Sequence, residues 1–204
     1  MISMVRNALP RSFYARPTLA VARDLLGCVL VRRVRGRIVS GYITETEAYI
    51  GHDDPASHAA RGMTPRNAIM FDDPGFAYVY FVYGMYWCLN AVTEGRGIPA
   101  AVLIRGVWPK DGAASMARRR FGTTQLTAQQ KKNIANGPGK LCSAFGIDRA
   151  ANGADLCGHN LFIVRGVDVK DAQVQTSGRI GIRVATEYPW RFHVDDAAQV
   201  FGDR

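Results

Sequence analysis

The chain has 204 residues, 48% of them hydrophobic, which is enough for one domain with a sizeable core and too apolar for a disordered polypeptide. Lys and Arg number 26 against 17 Asp and Glu, a formal net charge of +9 with a pI near 9.7. That balance favours an anionic partner, nucleic acid or a membrane surface. The longest early apolar run, residues 25–31, is too short to span a bilayer. The amino-terminal stretch carries Arg6 and Arg11 but no signal-peptide core. A cytoplasmic protein without a membrane partner is expected. Cys28, Cys88, Cys142 and Cys157 lie in apolar contexts with no C-x-x-C spacing, which favours buried free thiols over a zinc site.

Pro17 opens a helix whose apolar stripe is Leu19, Ala22 and Leu26, ended by Gly27. Residues 28–34 form a strand, Arg35-Gly36 turns the chain, and residues 38–49 return as a long strand. Alternation puts Glu45, Glu47 and Tyr49 on one face with Ile43. Two carboxylates this close differ in pKa, which leaves one of them ionised as a base. A polar strand face closed by a salt bridge fits the same pattern. Residues 51–73 make a long polar loop, a feature usually tied to function in a compact domain. It carries His58, with Asp53 or Asp54 available to orient the ring. The four histidines are scattered, so neither a metal nor a cofactor is expected.

Residues 76–90 crowd aromatic and β-branched side chains around Gly84, a β-hairpin pattern. Tyr83 and Met85 flank the glycine where polar residues usually stand. An apolar tip suits burial in a core or partner, or insertion between stacked bases. A strand follows at 101–105. Residues 111–121 read as a helix ending in Arg118, Arg119 and Arg120, where cations suit the helix dipole and solvent. Thr127 and Gln130 form a capping box for a helix reaching Ala135. Asn136-Gly-Pro-Gly-Lys140 turns into a further helix; its amides and lysine suit a phosphate, and a plain turn fits equally well. It is no ATP-binding loop, because Leu141 follows the lysine and Ile134 stands where the first glycine belongs. Strands resume at 161–165, 179–184 and 191–194. Without regular βαβ alternation, this is an α+β fold: one domain with a curved, mostly antiparallel sheet, flanking helices and an aromatic hairpin.

These motifs, taken in order, resemble the alkyladenine (3-methyladenine) DNA glycosylases of the non-helix-hairpin-helix type. The resemblance rests on Glu45-Thr-Glu-Ala-Tyr49, His58 with Thr64-Pro-Arg-Asn67, Tyr78 through Tyr83-Gly-Met-Tyr86 to Asn90, Val102-Leu-Ile-Arg105, and Asn136-Gly-Pro-Gly-Lys-Leu-Cys142. Gly178-Arg-Ile-Gly-Ile182 extends it. The resemblance implies a monomeric, cofactor-free enzyme that flips damaged purines (3-methyladenine, 7-methylguanine, hypoxanthine, ethenoadenine) out of duplex DNA and hydrolyses their glycosidic bond. It implies Glu47 as general base with Arg105 beside the water, and a pocket of Tyr49, His58, Tyr80 and Asn90. Tyr83 and Met85 become the wedge, and Thr64, Arg66 and Lys140 backbone contacts. The chain departs from the family at Arg96 to Pro99, a bulkier turn, and at Trp108-Pro109, where an acidic residue would precede the proline. A stacking module without catalysis and an enzyme acting on free nucleosides are the alternatives. The carboxylate pair argues against the first, the apolar tip and the charge against the second.

Overall fold

Strand β2 (Arg37–Ile50) is the spine of the molecule in the computed structural model, which describes residues 8–34 and 36–202. Arg6 and the turn residue Arg35 lie outside the described residues. One edge of β2 pairs along its length with β5 (Ala100–Asp111). The other edge is shared: β1 (Val29–Val34) covers the first half of β2, and β8 (Arg191–Val194) covers Glu45 to Glu47. Strands β3 (Ala77–Val82) and β4 (Tyr86–Val92) extend the β5 side. Strands β6 (Leu161–Val164) and β7 (Val174–Ser177) pair with β1 and β8. Every pairing is antiparallel, and the curled sheet makes the fold α+β.

Helices α1 (Arg11–Tyr14), α2 (Thr18–Asp24), α3 (Ala113–Phe121), α4 (Ala128–Asn133), α5 (Pro138–Phe145) and α6 (Ala197–Phe201) flank it. The main core joins α2, α3 and α5 to the sheet through residues such as Val21, Ile104, Met116, Leu141 and Phe162. A second cluster of Ala59, Met70, Tyr78, Val92 and Ala101 packs the 51–73 loop against the hairpin. The capping box at Thr127 is present, with reciprocal bonds to Gln130. None of the described helices is long and apolar enough to cross a membrane. Cys28, Cys88 and Cys142 are buried free thiols, and Cys157 is half-buried.

Several expectations are corrected. Ile43 does not share a face with Glu45 and Glu47; it lies in the main core. The β2–β5 register shifts on both sides of Glu45, and the extra residue in this bulge resets the alternation. Residues 179–184 are not a strand: they make no ladder, and Gly181 has φ +81°. The strand in this region is β7, a mostly exposed segment. Strand β5 runs on to Asp111, carrying Trp108 against the core and Pro109 near its end, so α3 starts only at Ala113. The arginines at the end of α3 are not merely solvated. Arg119 donates to the Ala144 carbonyl (2.9 Å) and Arg120 to that of Ile134 (3.1 Å). Arg96 is surface-exposed and paired with Asp72 and Asp73.

Gly106 stands opposite Glu45 at the bulge, where an added Cβ meets Thr44 Oγ1 at 2.7 Å and the Glu45 Cβ at 3.1 Å. Gly106→Ala is expected to force the bulge apart and cost about 1–3 kcal/mol. A lower midpoint in urea with an unchanged slope checks this; an unchanged midpoint means the bulge tolerates a methyl group.

Candidate active site

The bulge re-aims the end of β2. Beyond it, Glu47 is fully buried, and its carboxylate is held from three directions. Ile180 N–H donates to Oε1 (2.7 Å), while the Tyr49 hydroxyl (2.9 Å) and Arg105 Nη1 (3.3 Å) donate to Oε2. Arg105 also donates through Nε to Glu45 Oε1 (2.8 Å), and Arg191 Nε reaches that same oxygen (2.6 Å). The order Arg191–Glu45–Arg105–Glu47 leaves no buried charge without a partner.

The two carboxylates are driven apart. Burial pushes the Glu47 carboxyl above the usual range, outweighing Arg105, the Ile180 amide and the Tyr49 hydroxyl, with the Glu45 charge adding to the rise. Burial acts on Glu45 as well, but the Arg191 hydrogen bond and the two flanking guanidinium charges overcome it and hold that carboxyl low.

Tyr49 and Arg105, both bonded to Glu47, line a cavity of about 340 Å³ together with His58, Tyr78, Tyr80, Cys88 and Asn90. Its remaining side is the segment Ile180 to Val184, and its mouth carries Tyr83 and Tyr86. His58 and Tyr80 touch edge to face at 4.5 Å. Neither Asp53 nor Asp54 orients His58; its Nδ1 shares a 2.9 Å hydrogen bond with the Tyr78 hydroxyl, and Asp54 is committed to Arg179. Partial burial and the nearby Arg66 hold the His58 pKa below its ordinary value, so the ring is neutral at pH 7. Asn90 Nδ2 donates to the Tyr78 carbonyl (3.0 Å), which fixes the amide at the cavity wall. Among the described residues, no group of three His, Cys, Asp or Glu is placed to hold a metal ion.

The hairpin tip is strained as well as apolar. Tyr83 and Gly84 both have positive φ (54° and 67°), and Met85 N–H closes the turn on the Val82 carbonyl at 3.2 Å. Such turns favour Asn or Gly at the first central position. A tyrosine held there, 74% exposed beside a 64% exposed Met85, has no folding rationale. Thr64 and Arg66 are exposed next to the hairpin, and Arg66 donates to the Phe81 carbonyl (3.0 Å). Lys140 lies in the first turn of α5 and donates to Asn136 Oδ1 (3.0 Å); Pro138 and Gly139 of that turn reach the cavity.

Sequence reasoning missed Arg191, gave Tyr78 and Cys88 no role of their own within the hairpin stretch, and offered Asp54 to His58 and not to Arg179. Arg179 and Ile180 left a trace in Gly178-Arg-Ile-Gly-Ile182, a weak extension of the resemblance.

Residues 12–198 match the family model described as methylpurine-DNA glycosylase. Among curated relatives, a protein of Desulfitobacterium hafniense is 46% identical over 94% of this chain and 97% of its own length. One of Methanocella arvoryzae is 52% identical over 91% of each chain, and one of Alkaliphilus oremlandii 47% identical over 92% and 96%. All three bear the name "Putative 3-methyladenine DNA glycosylase". Fold, site and match together define a DNA glycosylase, a hydrolase of N-glycosidic bonds in base excision repair. The chain belongs to the methylpurine-DNA glycosylase family. Its substrate is DNA, and the reading as a non-catalytic stacking module falls away.

The opposed shifts are open to measurement. In a carboxyl NMR titration Glu47 is expected to protonate above, and Glu45 below, the ordinary glutamate value of about 4.3. As pH falls, Glu47 therefore loses its charge first. The reverse order contradicts the assignment of the two environments.

Proposed function

We propose that this enzyme flips 3-methyladenine, 7-methylguanine, hypoxanthine or ethenoadenine from duplex DNA into the cavity and hydrolyses its bond to deoxyribose, acting as a one-domain monomer. The observation that carries this reading is the buried Glu47 carboxylate bonded to Tyr49, Arg105 and Ile180, which line an aromatic cavity, next to a strained, exposed aromatic tip. Glu47 takes a proton from water, the water oxygen bonds to C1′, and the C1′–N bond breaks with its electron pair leaving on the purine. A cationic methylated purine is neutralised by that pair; hypoxanthine and ethenoadenine need a proton to leave as easily. A raised pKa makes Glu47 a stronger base than an ordinary carboxylate.

Arg105 orients the carboxylate and the water. Tyr49, His58 and Tyr80 hold the purine by its faces and edges, and Asn90 crowds the 2-amino group of normal guanine. Tyr83 and Met85 fill the gap in the duplex, while Thr64, Arg66 and Lys140 contact phosphates. The relatives named for 3-methyladenine support the substrate class. A free nucleoside would use neither the exposed tip nor the +9 charge.

Glu47→Gln keeps the carboxylate's shape and removes the base. Single-turnover excision from a hypoxanthine duplex, scored as alkali-labile sites, is expected to fall about 10²–10⁴-fold while duplex binding persists. Near-normal excision would move the base elsewhere, with Glu45 next in line.

Tyr83→Ser removes the ring at the turn. The flipped state is expected to lose about 1–3 kcal/mol of stacking. Ethenoadenine fluorescence at saturating protein reports this directly, and the loss is expected to shrink when the damaged base is unpaired. An undiminished flipped signal would show that Tyr83 does not enter the duplex.

A further inference from the structure

Residues 178–184 have no regular secondary structure, yet Ile180 to Val184 close one side of the cavity. Between Val169 and Val194 one residue alone is buried, and it is a cation, Arg179. Its guanidinium and the Asp54 carboxylate are both 0% exposed. Nη1 and Nη2 donate to Asp54 Oδ2 (2.5 Å) and Oδ1 (2.8 Å), and Nη1 also reaches the Ala48 carbonyl (3.0 Å). The group lies over the rings of Tyr49 (4.7 Å) and Trp190 (5.0 Å). Asp54 in turn accepts from the amides of Ile50 (3.3 Å) and Ala56 (3.0 Å). One ion pair thus joins the end of β2, the loop that bears His58, and the 178–184 strap.

Stability does not account for this pair. Removing two charges from water is costly, and apolar residues of similar volume often serve as well or better. A planar fork on a carboxylate supplies direction, which an apolar anchor lacks. The direction set here is that of the next residue, since Ile180 N–H is the donor to Glu47 Oε1 at 2.7 Å.

We infer that Asp54 and Arg179 are positioning residues for the reaction: their pairing locks the strap so that the Ile180 amide holds Glu47 ionised and aimed. This rests on Glu47 being the base. The other groups facing Glu47 are Glu45 and Tyr49 on β2, Arg105 on β5, Arg191 on β8 and Cys88 on β4; of these Tyr49 also touches the clasp, its ring lying under the Arg179 guanidinium. Without the amide, the charged form of Glu47 loses a donor and its pKa rises. The acid limb of the rate profile then moves to higher pH.

The test is the double variant Asp54→Asn/Arg179→Gln, which changes no net charge beside Glu47. Single-turnover release of purines from duplex DNA methylated with dimethyl sulfate is followed from pH 5 to 9, with duplex affinity measured alongside. The acid limb is expected to move up by about one to two pH units, with the rate recovering towards wild type at high pH and affinity unchanged. Arg179→Lys, which keeps the charge but not the fork, is expected to move the limb the same way by less. It carries the test if the double variant does not fold. A folded variant with the wild-type limb overturns the inference, as does a rate lost equally at all pH values. Glu47→Gln separates the two readings. If it keeps the wild-type rate and limb, the base assignment fails and takes this inference with it. If it loses both while the clasp variants keep the wild-type limb, the inference alone fails.

Discussion

Glu47 is a fully buried carboxylate, and much of the architecture follows from making that tolerable. A buried charge without partners costs several kcal/mol or simply takes up a proton. Here the partners come from separate parts of the chain: Tyr49 from the same strand, Arg105 from β5, and the Ile180 amide from the strap. Arg105 is itself a buried cation, answered by Glu45, which is answered by Arg191 on β8. Desolvation is strong enough to keep the Glu47 pKa raised, and the donors keep that rise within bounds. The balance gives a carboxylate that accepts a proton more readily than an ordinary one.

Strand β2 can deliver this only because its two edges are used differently along its length. The edge that pairs with β1 near the start of the strand is handed to β8 at Glu45, and the bulge lies at that handover. A straight strand would keep Ile43 and Glu47 on one face. The extra residue sends Ile43 to the core and leaves the carboxylates on the other face, against the cavity-lining Arg105. Gly106, opposite the bulge, has no side chain because Thr44 and Glu45 occupy the space. Core and site are thus separated by a local irregularity and not by a change of element.

That irregularity also marks where the sequence stops being legible. The carboxylate pair, the hairpin, the capping box and the start of α5 are local patterns, and local patterns survive folding. The face of Ile43 was misread because period-2 alternation holds only while the register holds. The strap looked like a strand because Arg-Ile-Gly-Ile-Arg-Val alternates; a glycine at positive φ and the lack of a pairing partner decide otherwise. Asp54, offered with Asp53 as an orienting group for His58, pairs instead with Arg179, 125 residues away. No spacing rule reaches that far. The strand read at 101–105 runs on to Asp111 although it contains Pro109; near the end of the strand the missing donor is tolerated.

The hairpin poses the opposite problem, apolar groups kept in water, and its solution explains a motif that composition left ambiguous. A positive-φ tyrosine and an exposed methionine are held in place only if the arms beneath them are stiff. Phe81 and Trp87 pack across the two strands with ring centroids 4.8 Å apart, and Arg66 is docked on the Phe81 carbonyl. Tyr86, the first residue of the returning arm, rests on Gly139, where an added Cβ would come within 2.8 Å of the ring. The second glycine of Asn136-Gly-Pro-Gly-Lys140 therefore has a packing reason that requires no phosphate: it is the socket for the hairpin. The same turn lines the cavity with Pro138 and Gly139, and Lys140 follows them in the chain. One short segment thus braces the strained tip and sets a cation close to it, so the apolar and the basic parts of this surface stand in a fixed relation to each other.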